Sequence, residues 1–207
     1  MTRVFAIMGA LATVALIAAV YLVTLAPGGG DDQFAQCRAT TIAGGSAEIG
    51  GPFTLVTEAG ETVTDEDIID GPTLIYFGFT NCDTVCSIDA ARNAVVVDVL
   101  ADQGIDVKPL FISFDHVRDT PEVLKNYTDI IHPEMIGLTG SEEQIRDVTR
   151  AYRTYYSKMD GDDEFYQFEH LTFSYLTFPE YGFLEFFRRE ESPEAIAERV
   201  ACFVGSA

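Results

Sequence analysis

Basic residues are scarce in this chain of 207 residues: 13 Lys+Arg stand against 33 Asp+Glu, a formal net charge of −20. Affinity for a phosphate backbone is built from Lys and Arg, so the composition argues against a nucleic-acid partner. It argues equally against attachment to anionic lipid through a basic patch. Charged residues are also few overall, 22% against 47% hydrophobic and 12% aromatic, which is too apolar for a disordered acidic chain. No segment recurs with a period of 20–50 residues, so a solenoid is excluded. What remains is one folded acidic domain with an appendage.

Charge is missing altogether from Val4 to Ala26, a run of mostly Ala, Leu, Val and Ile. At about 1.5 Å per residue this run makes roughly 34 Å of helix, enough for a ~30 Å hydrocarbon core. Residues 1–27 are therefore expected to form a single transmembrane helix. A cleaved signal peptide fits less well, because its apolar core is about 7–15 residues and Thr24-Leu25-Ala26 is a poor cleavage site. Arg3 precedes the run, whereas Asp31 and Asp32 follow the Gly28-Gly29-Gly30 exit. The positive-inside bias then places the domain outside the cytoplasm, on the periplasmic face of a bacterial-type inner membrane or the intermembrane-space face of an organelle. Residues 28–50 read as a linker and 51–207 as the domain.

Cysteine is limited to four residues. Exported thiols pair unless something keeps them reduced or metallated. Cys37 and Cys202 lie near the two ends of the domain and are expected to form a structural disulfide. Cys82 and Cys86 lie together mid-chain and read as a reactive pair.

Gly51-Pro52 opens a hairpin of Phe53–Val56 and Thr62–Thr64. Thr73–Phe79 is a near-continuous apolar run, as in a strand buried on both faces. Helical spacing follows from Thr84 to Leu100, with Ala90, Ala94, Val97 and Leu100 on one face. Ile105–Phe114 is a second buried strand. Thr120 caps a helix with Pro121 in its first turn, ending near His132. A short Met135–Leu138 strand precedes a helix capped at Ser141. Two aromatic-rich strands, Thr172–Phe178 and Gly182–Arg188, precede a closing helix from Ser192-Pro193. Alternating strands and helices predict a mostly parallel α/β sheet covered on both faces, a thioredoxin-like sandwich with N-terminal and late β-hairpins.

Cys82 and Cys86 fall between a central strand and a helix. At i, i+4 on a first helical turn their side chains would share a face, and the positive helix end favours thiolate. Such a pair forms a disulfide or grips a soft metal. Only three histidines are available as further ligands. His132 at a helix end is explained by the dipole, which leaves His116 and His170 both open as ligands.

Three ordered motifs resemble the Sco/SenC family: Thr80-Asn81-Cys82-Asp83-Thr84-Val85-Cys86, then Ser113-Phe114-Asp115 with Arg118-Asp119-Thr120-Pro121, then His170 before Phe173-Ser174-Tyr175-Leu176. Members of that family are membrane-anchored, thioredoxin-fold copper proteins that help assemble cytochrome c oxidase. The resemblance implies Cys82, Cys86 and His170 as ligands of one copper, as Cu(I) or Cu(II). It implies transfer to the exported copper-site subunit of the oxidase. Thiolates select Cu(I), and an added imidazole also accommodates Cu(II). The chain departs from the family pattern in having Asp83 and Ser87 where proline follows each cysteine. Asp115-His116 stands for Asp-Pro, and Glu169 for the Asp before the late histidine. Asp83 is expected to raise the neighbouring thiol pKa values, and Asp115 and His116 are expected either to support the ligands from behind or to stand in for one of them. A membrane-tethered thiol–disulfide oxidoreductase, with Cys82 attacking and Cys86 resolving, is the alternative activity.

Overall fold

The computed structural model describes residues 13–17, 32–39, 49–82, 84–161 and 165–207. The chain divides into two compact units, Met1–Ala35 and Gln36–Ala207. In the first, residues 13–17 are helical. Among the described residues no helix is long and apolar enough to cross a membrane. The rest of the 4–26 run, on which the anchor expectation rests, lies outside the described residues. So do Asp83 and most of the expected linker.

The second unit is built on a seven-stranded sheet of order β2-β1-β5-β4-β3-β8-β9. Its strands are β1 (Thr54–Thr57), β2 (Thr62–Thr64), β3 (Thr73–Gly78), β4 (Lys108–Ser113), β5 (Ile136–Thr139), β8 (Ser174–Phe178) and β9 (Gly182–Phe187). All six residues of β3 are buried. Successive side chains point to opposite faces, so both faces of the sheet are covered there. The sheet is mixed, not mostly parallel as the sequence suggested. β3–β4 and β4–β5 are parallel, whereas β1–β2, β1–β5, β3–β8 and β8–β9 are antiparallel. The helical crossovers β3-α2-β4 and β4-α3-β5 account for the parallel trio; β1 enters from the hairpin and β8 returns against β3. A β-bulge between Leu176 and Thr177 adjusts β8 against β9.

Among the described residues five helices accompany the sheet: α1 (Asp65–Ile68), α2 (Cys86–Asp102), α3 (Pro121–Ile131), α4 (Glu142–Ala151) and α5 (Pro193–Gly205). Four begin with a side-chain cap, in which Thr64, Thr120, Ser141 or Ser192 accepts from a backbone N–H two or three residues into its helix. Thr64 and Ser141 complete capping boxes with Asp67 and Gln144. Only α2, preceded by Val85, has no side-chain cap of this kind. α2 packs beside both α5 and α3. Cys202 in α5 is bonded to Cys37 across 165 residues of chain, with a Cα–Cα distance of 5.6 Å.

Tyr152, Phe183 and Phe187 are core residues, whereas Tyr155 is 53% exposed. Phe77 packs against Tyr152 and Tyr175 with ring centroids 5.5 and 5.6 Å away. Residues 156–170 contain two strands that no signal in the sequence marked. Tyr156–Lys158 (β6) and Phe168–His170 (β7) form a separate two-stranded antiparallel sheet. His170 therefore closes a strand of its own, not the approach to β8. The register pairs Tyr156 with His170 and Lys158 with Phe168.

Candidate metal centre

β3 delivers Phe79 and then a short loop that carries Cys82. Helix α2 starts only at Cys86, so the two cysteines do not share a helical turn as the spacing suggested. Cys82 instead occupies the place of a cap: its Sγ accepts from the Cys86 backbone N–H at 3.3 Å. Val85, at the N-cap position, supplies no side-chain cap, and this helix end offers its N–H groups and positive potential to a thiolate. Cys86 is fully buried, whereas Cys82 is partly exposed.

His170 arrives from the β6–β7 hairpin. Alternation puts Tyr166, Phe168 and His170 on one face, and that face rests on the aromatic residues that end β3 and β4. The Phe79 ring lies 5.1 Å from Phe168 and 6.1 Å from His170; Phe114 lies 5.1 and 5.0 Å from the same two rings. Tyr156 stacks on Phe114 at 5.0 Å. Gln167 Nε2 donates to the Asn81 carbonyl at 3.0 Å, joining the hairpin to the cysteine loop.

Three donor atoms converge as a result. Cys82 Sγ, Cys86 Sγ and a His170 ring nitrogen lie within 4.8 Å of one another, and Cys86 Sγ is 3.4 Å from His170 Nε2. His170 Nδ1 is 2.8 Å from the Leu171 carbonyl oxygen. A carbonyl only accepts, so Nδ1 carries the proton and Nε2 turns its lone pair toward the sulfurs. Two cysteine sulfurs and one imidazole nitrogen this close together suit a soft or borderline metal ion, which binds the sulfurs as thiolates.

The two sulfurs are not alike. Cys82 is held far below the ordinary thiol range, at about 3, first by a hydrogen bond from Cys86 and then by His170 and the backbone of Thr84 and Cys86. Cys86 is driven up by the adjacent Cys82 sulfur and by burial. The metal-free pair thus holds one thiolate and one thiol. Any effect of Asp83 lies outside the described residues. Behind Cys86, the Tyr76 hydroxyl donates to the buried Asp89 at 3.1 Å, and burial raises the Asp89 pKa.

His116 and Asp115 are not part of the cluster. His116 is exposed in the loop after β4. Asp115 is buried and committed to other partners: it accepts from the Tyr166 hydroxyl at 2.7 Å and forms an ion pair with Arg118. Asp119, also buried, accepts from the Thr80 N–H at 2.9 Å, the Thr80 hydroxyl at 2.6 Å and the Ser113 hydroxyl. One loop therefore grips the cysteine loop through Asp119 and the histidine hairpin through Asp115. Sequence reasoning did not assign these roles. Tyr166 and Thr80 each lie far from their aspartate in sequence, and no local spacing links them.

Residues 42–205 match the family described as SCO1/SenC. The chain belongs to the SCO1/SenC family. It is 51% identical to Protein SenC of Rhodobacter capsulatus over 173 residues, covering 84% of this chain and 78% of that one. It is 41% identical to the human "Protein SCO1 homolog, mitochondrial" over 160 residues, 76% of this chain and 53% of the relative. The chain thus spans about half the length of that relative. Among SCO1/SenC structures, the copper-bound crystal structure of Arabidopsis thaliana ScoI superposes with a TM-score of 0.72 at 36% identity, over 76% of this chain and 99% of that one. Copper-bound Bradyrhizobium japonicum ScoI gives 0.67 at 35% identity, over 74% and 98%. The fold is accordingly the mixed α/β, thioredoxin-like one of Sco proteins.

Proposed function

We propose that the chain binds one copper ion as cargo through Cys82 Sγ, Cys86 Sγ and His170 Nε2. It delivers that ion to the copper centre of an exported cytochrome c oxidase subunit, acting from a membrane tether formed by residues 1–27. The convergence of the three donors within 4.8 Å carries this reading. Membership of SCO1/SenC and the copper held by the Arabidopsis and Bradyrhizobium proteins support it.

Copper entering the site displaces one proton, from Cys86, because Cys82 is already a thiolate. The ion is then held by two sulfurs and one nitrogen. Cys82 is the partly exposed sulfur, so an acceptor thiolate would replace it first. Transfer proceeds by ligand exchange, and the proton balance reverses as Cys86 is reprotonated.

One observation favours a second activity at the same residues. A stabilised, accessible Cys82 thiolate beside a buried, protonated Cys86 is the asymmetry of an attacking and a resolving cysteine. As a thiol–disulfide reductase the chain would prepare the acceptor's cysteines for copper.

The test is copper stoichiometry and competition affinity for the reduced, full-length chain in mild detergent under anaerobic conditions. One tight copper is expected per chain. Cys82→Ser/Cys86→Ser should abolish binding, and His170→Ala should weaken Cu(II) by about tenfold or more. His116→Ala should leave binding unchanged. Loss of copper with His116→Ala but not with His170→Ala would reject the ligand set. No copper on a verified dithiol, with turnover of a disulfide substrate, would leave the reductase.

A further inference from the structure

The Asp115–Tyr166 contact has a geometry that neither copper ligation nor core packing requires. Tyr166 is 2% exposed although it precedes a three-residue edge strand. Its hydroxyl donates to Asp115 Oδ1 at 2.7 Å. Its ring takes Arg118 Cζ at 3.6 Å from the centroid and Lys158 Nζ at 3.7 Å. Both cations favour the π face of a ring, and one of them is itself ion-paired to Asp115. The phenol is thus fixed by one hydrogen bond and two cation contacts, with Phe168 5.5 Å away on the same face.

What these contacts hold is a small two-stranded sheet. An isolated hairpin is marginal in water and takes its position from what it packs against. Main-chain bonds such as Leu171 N–H to the Tyr155 carbonyl, at 3.0 Å, keep β6 and β7 together. They do not set the height of the hairpin over Phe79 and Phe114. Among the described residues, Tyr166 adds a hydrogen-bonded tie beside the aromatic stack and the Gln167–Asn81 bond.

We propose that Tyr166 is a positioning residue for the metal site. Anchored to Asp115 and clasped by Arg118 and Lys158, it fixes the β6–β7 hairpin so that His170 Nε2 meets the two sulfurs. The inference rests on the copper reading for its ligand chemistry, but the anchoring itself can be tested without metal. Two sulfurs suffice for Cu(I), whereas Cu(II) draws on the imidazole. The anchor should therefore act on one oxidation state more than on the other.

Tyr166→Phe keeps the ring and its cation contacts and removes the bond to Asp115. Lys158→Gln, at an exposed position, removes one cation and leaves that bond in place. In the full-length chain, Tyr166→Phe should lower Cu(II) affinity about tenfold and Cu(I) affinity less than about threefold. Nitrogen hyperfine structure in the Cu(II) electron paramagnetic resonance spectrum should weaken with it. Lys158→Gln should give a smaller shift in the same direction. In the metal-free protein, the Leu171 and Met159 amides should exchange hydrogen about tenfold faster in Tyr166→Phe, with Leu176 in β8 unchanged.

Equal losses for both oxidation states, or hairpin amides that exchange as in the wild type, would overturn the proposal. A wild-type chain that binds no copper would overturn the functional reading instead, and the exchange experiment would still decide the anchoring.

Discussion

Asp119 carries a measurable share of both stability and site geometry. It is 1% exposed and accepts three hydrogen bonds, two of them from Thr80, two residues before Cys82. In Asp119→Ala the Thr80 N–H loses its acceptor and cannot swing away, at a cost of about 1–3 kcal/mol. The Thr80 and Ser113 hydroxyls can re-aim, so each forfeits only about 0.5–1 kcal/mol. The alanine variant should lose about 3 kcal/mol, or roughly 6–12 °C in Tm at this chain length. Asp119→Asn keeps an oxygen for the Thr80 N–H and removes a buried charge, so it should lose only about 1 kcal/mol. Burial raises the Asp119 pKa, so the folded state holds this proton more tightly than the unfolded chain does. Its contribution is full below the ordinary carboxylate range and is lost as pH rises through the raised value. The gap between wild type and Asp119→Asn should therefore narrow from pH 4 to pH 8. Denaturant melts of the three proteins at both pH values measure this. An alanine variant within about 1 kcal/mol of wild type, or an asparagine as damaging as the alanine, would refute the reasoning. The freed cysteine loop should also weaken Cu(I) and Cu(II) alike.

Two further outcomes follow from the cysteines. Closing 165 residues with the Cys37–Cys202 bond restricts the unfolded chain by an entropy worth about 5 kcal/mol. The Cys37→Ser/Cys202→Ser chain should lose most of that in a denaturant melt, with a larger m-value and copper stoichiometry unchanged; an unchanged midpoint would refute it. Cys82, held as thiolate down to about 3, should react with iodoacetamide at a nearly constant rate from pH 5 to 8 in the reduced, metal-free protein. Cys86 should stay unlabelled until the fold opens, and peptide mass mapping that finds both modified equally at pH 6 would contradict this asymmetry.

Local signals were legible where the physics is local. Thr120-Pro121, Ser141 and Ser192-Pro193 marked helix starts that the structure keeps, and the uninterrupted Thr73–Phe79 run became the fully buried β3. The two hairpins were legible as the antiparallel pairs β1–β2 and β8–β9, but alternation of strands and helices says nothing of where β1 and β8 insert in the sheet. The β6–β7 sheet was missed for another reason. Each strand has three residues, too few to show a period, and its register is set by the Phe79 and Phe114 platform. At the site, CxxxC and the late histidine stood out as residue types. The choice between His116 and His170 did not follow from residue type, since one was read just after a strand and the other just before one; only the family resemblance favoured His170. The hairpin that turns His170 Nε2 toward Cys86, and the exposed loop that keeps His116 outside the cluster, are tertiary features.

The loss of a helical turn between Cys82 and Cys86 leaves a chelate of very unequal rings. Cys82 and Cys86 are four residues apart and remain a two-sulfur chelator in the unfolded chain. His170 is 84 residues from Cys86 and joins them only when β7 lies over β3 and β4. A metal stabilises a fold only by the excess of its affinity for the folded over the unfolded state. That excess comes largely from the imidazole and the buried setting of Cys86, not from the dithiol itself. The rise in melting temperature on loading thus reports how well the third ligand is held. A chain with both sulfurs intact and the hairpin loosened would bind copper and gain little stability from it.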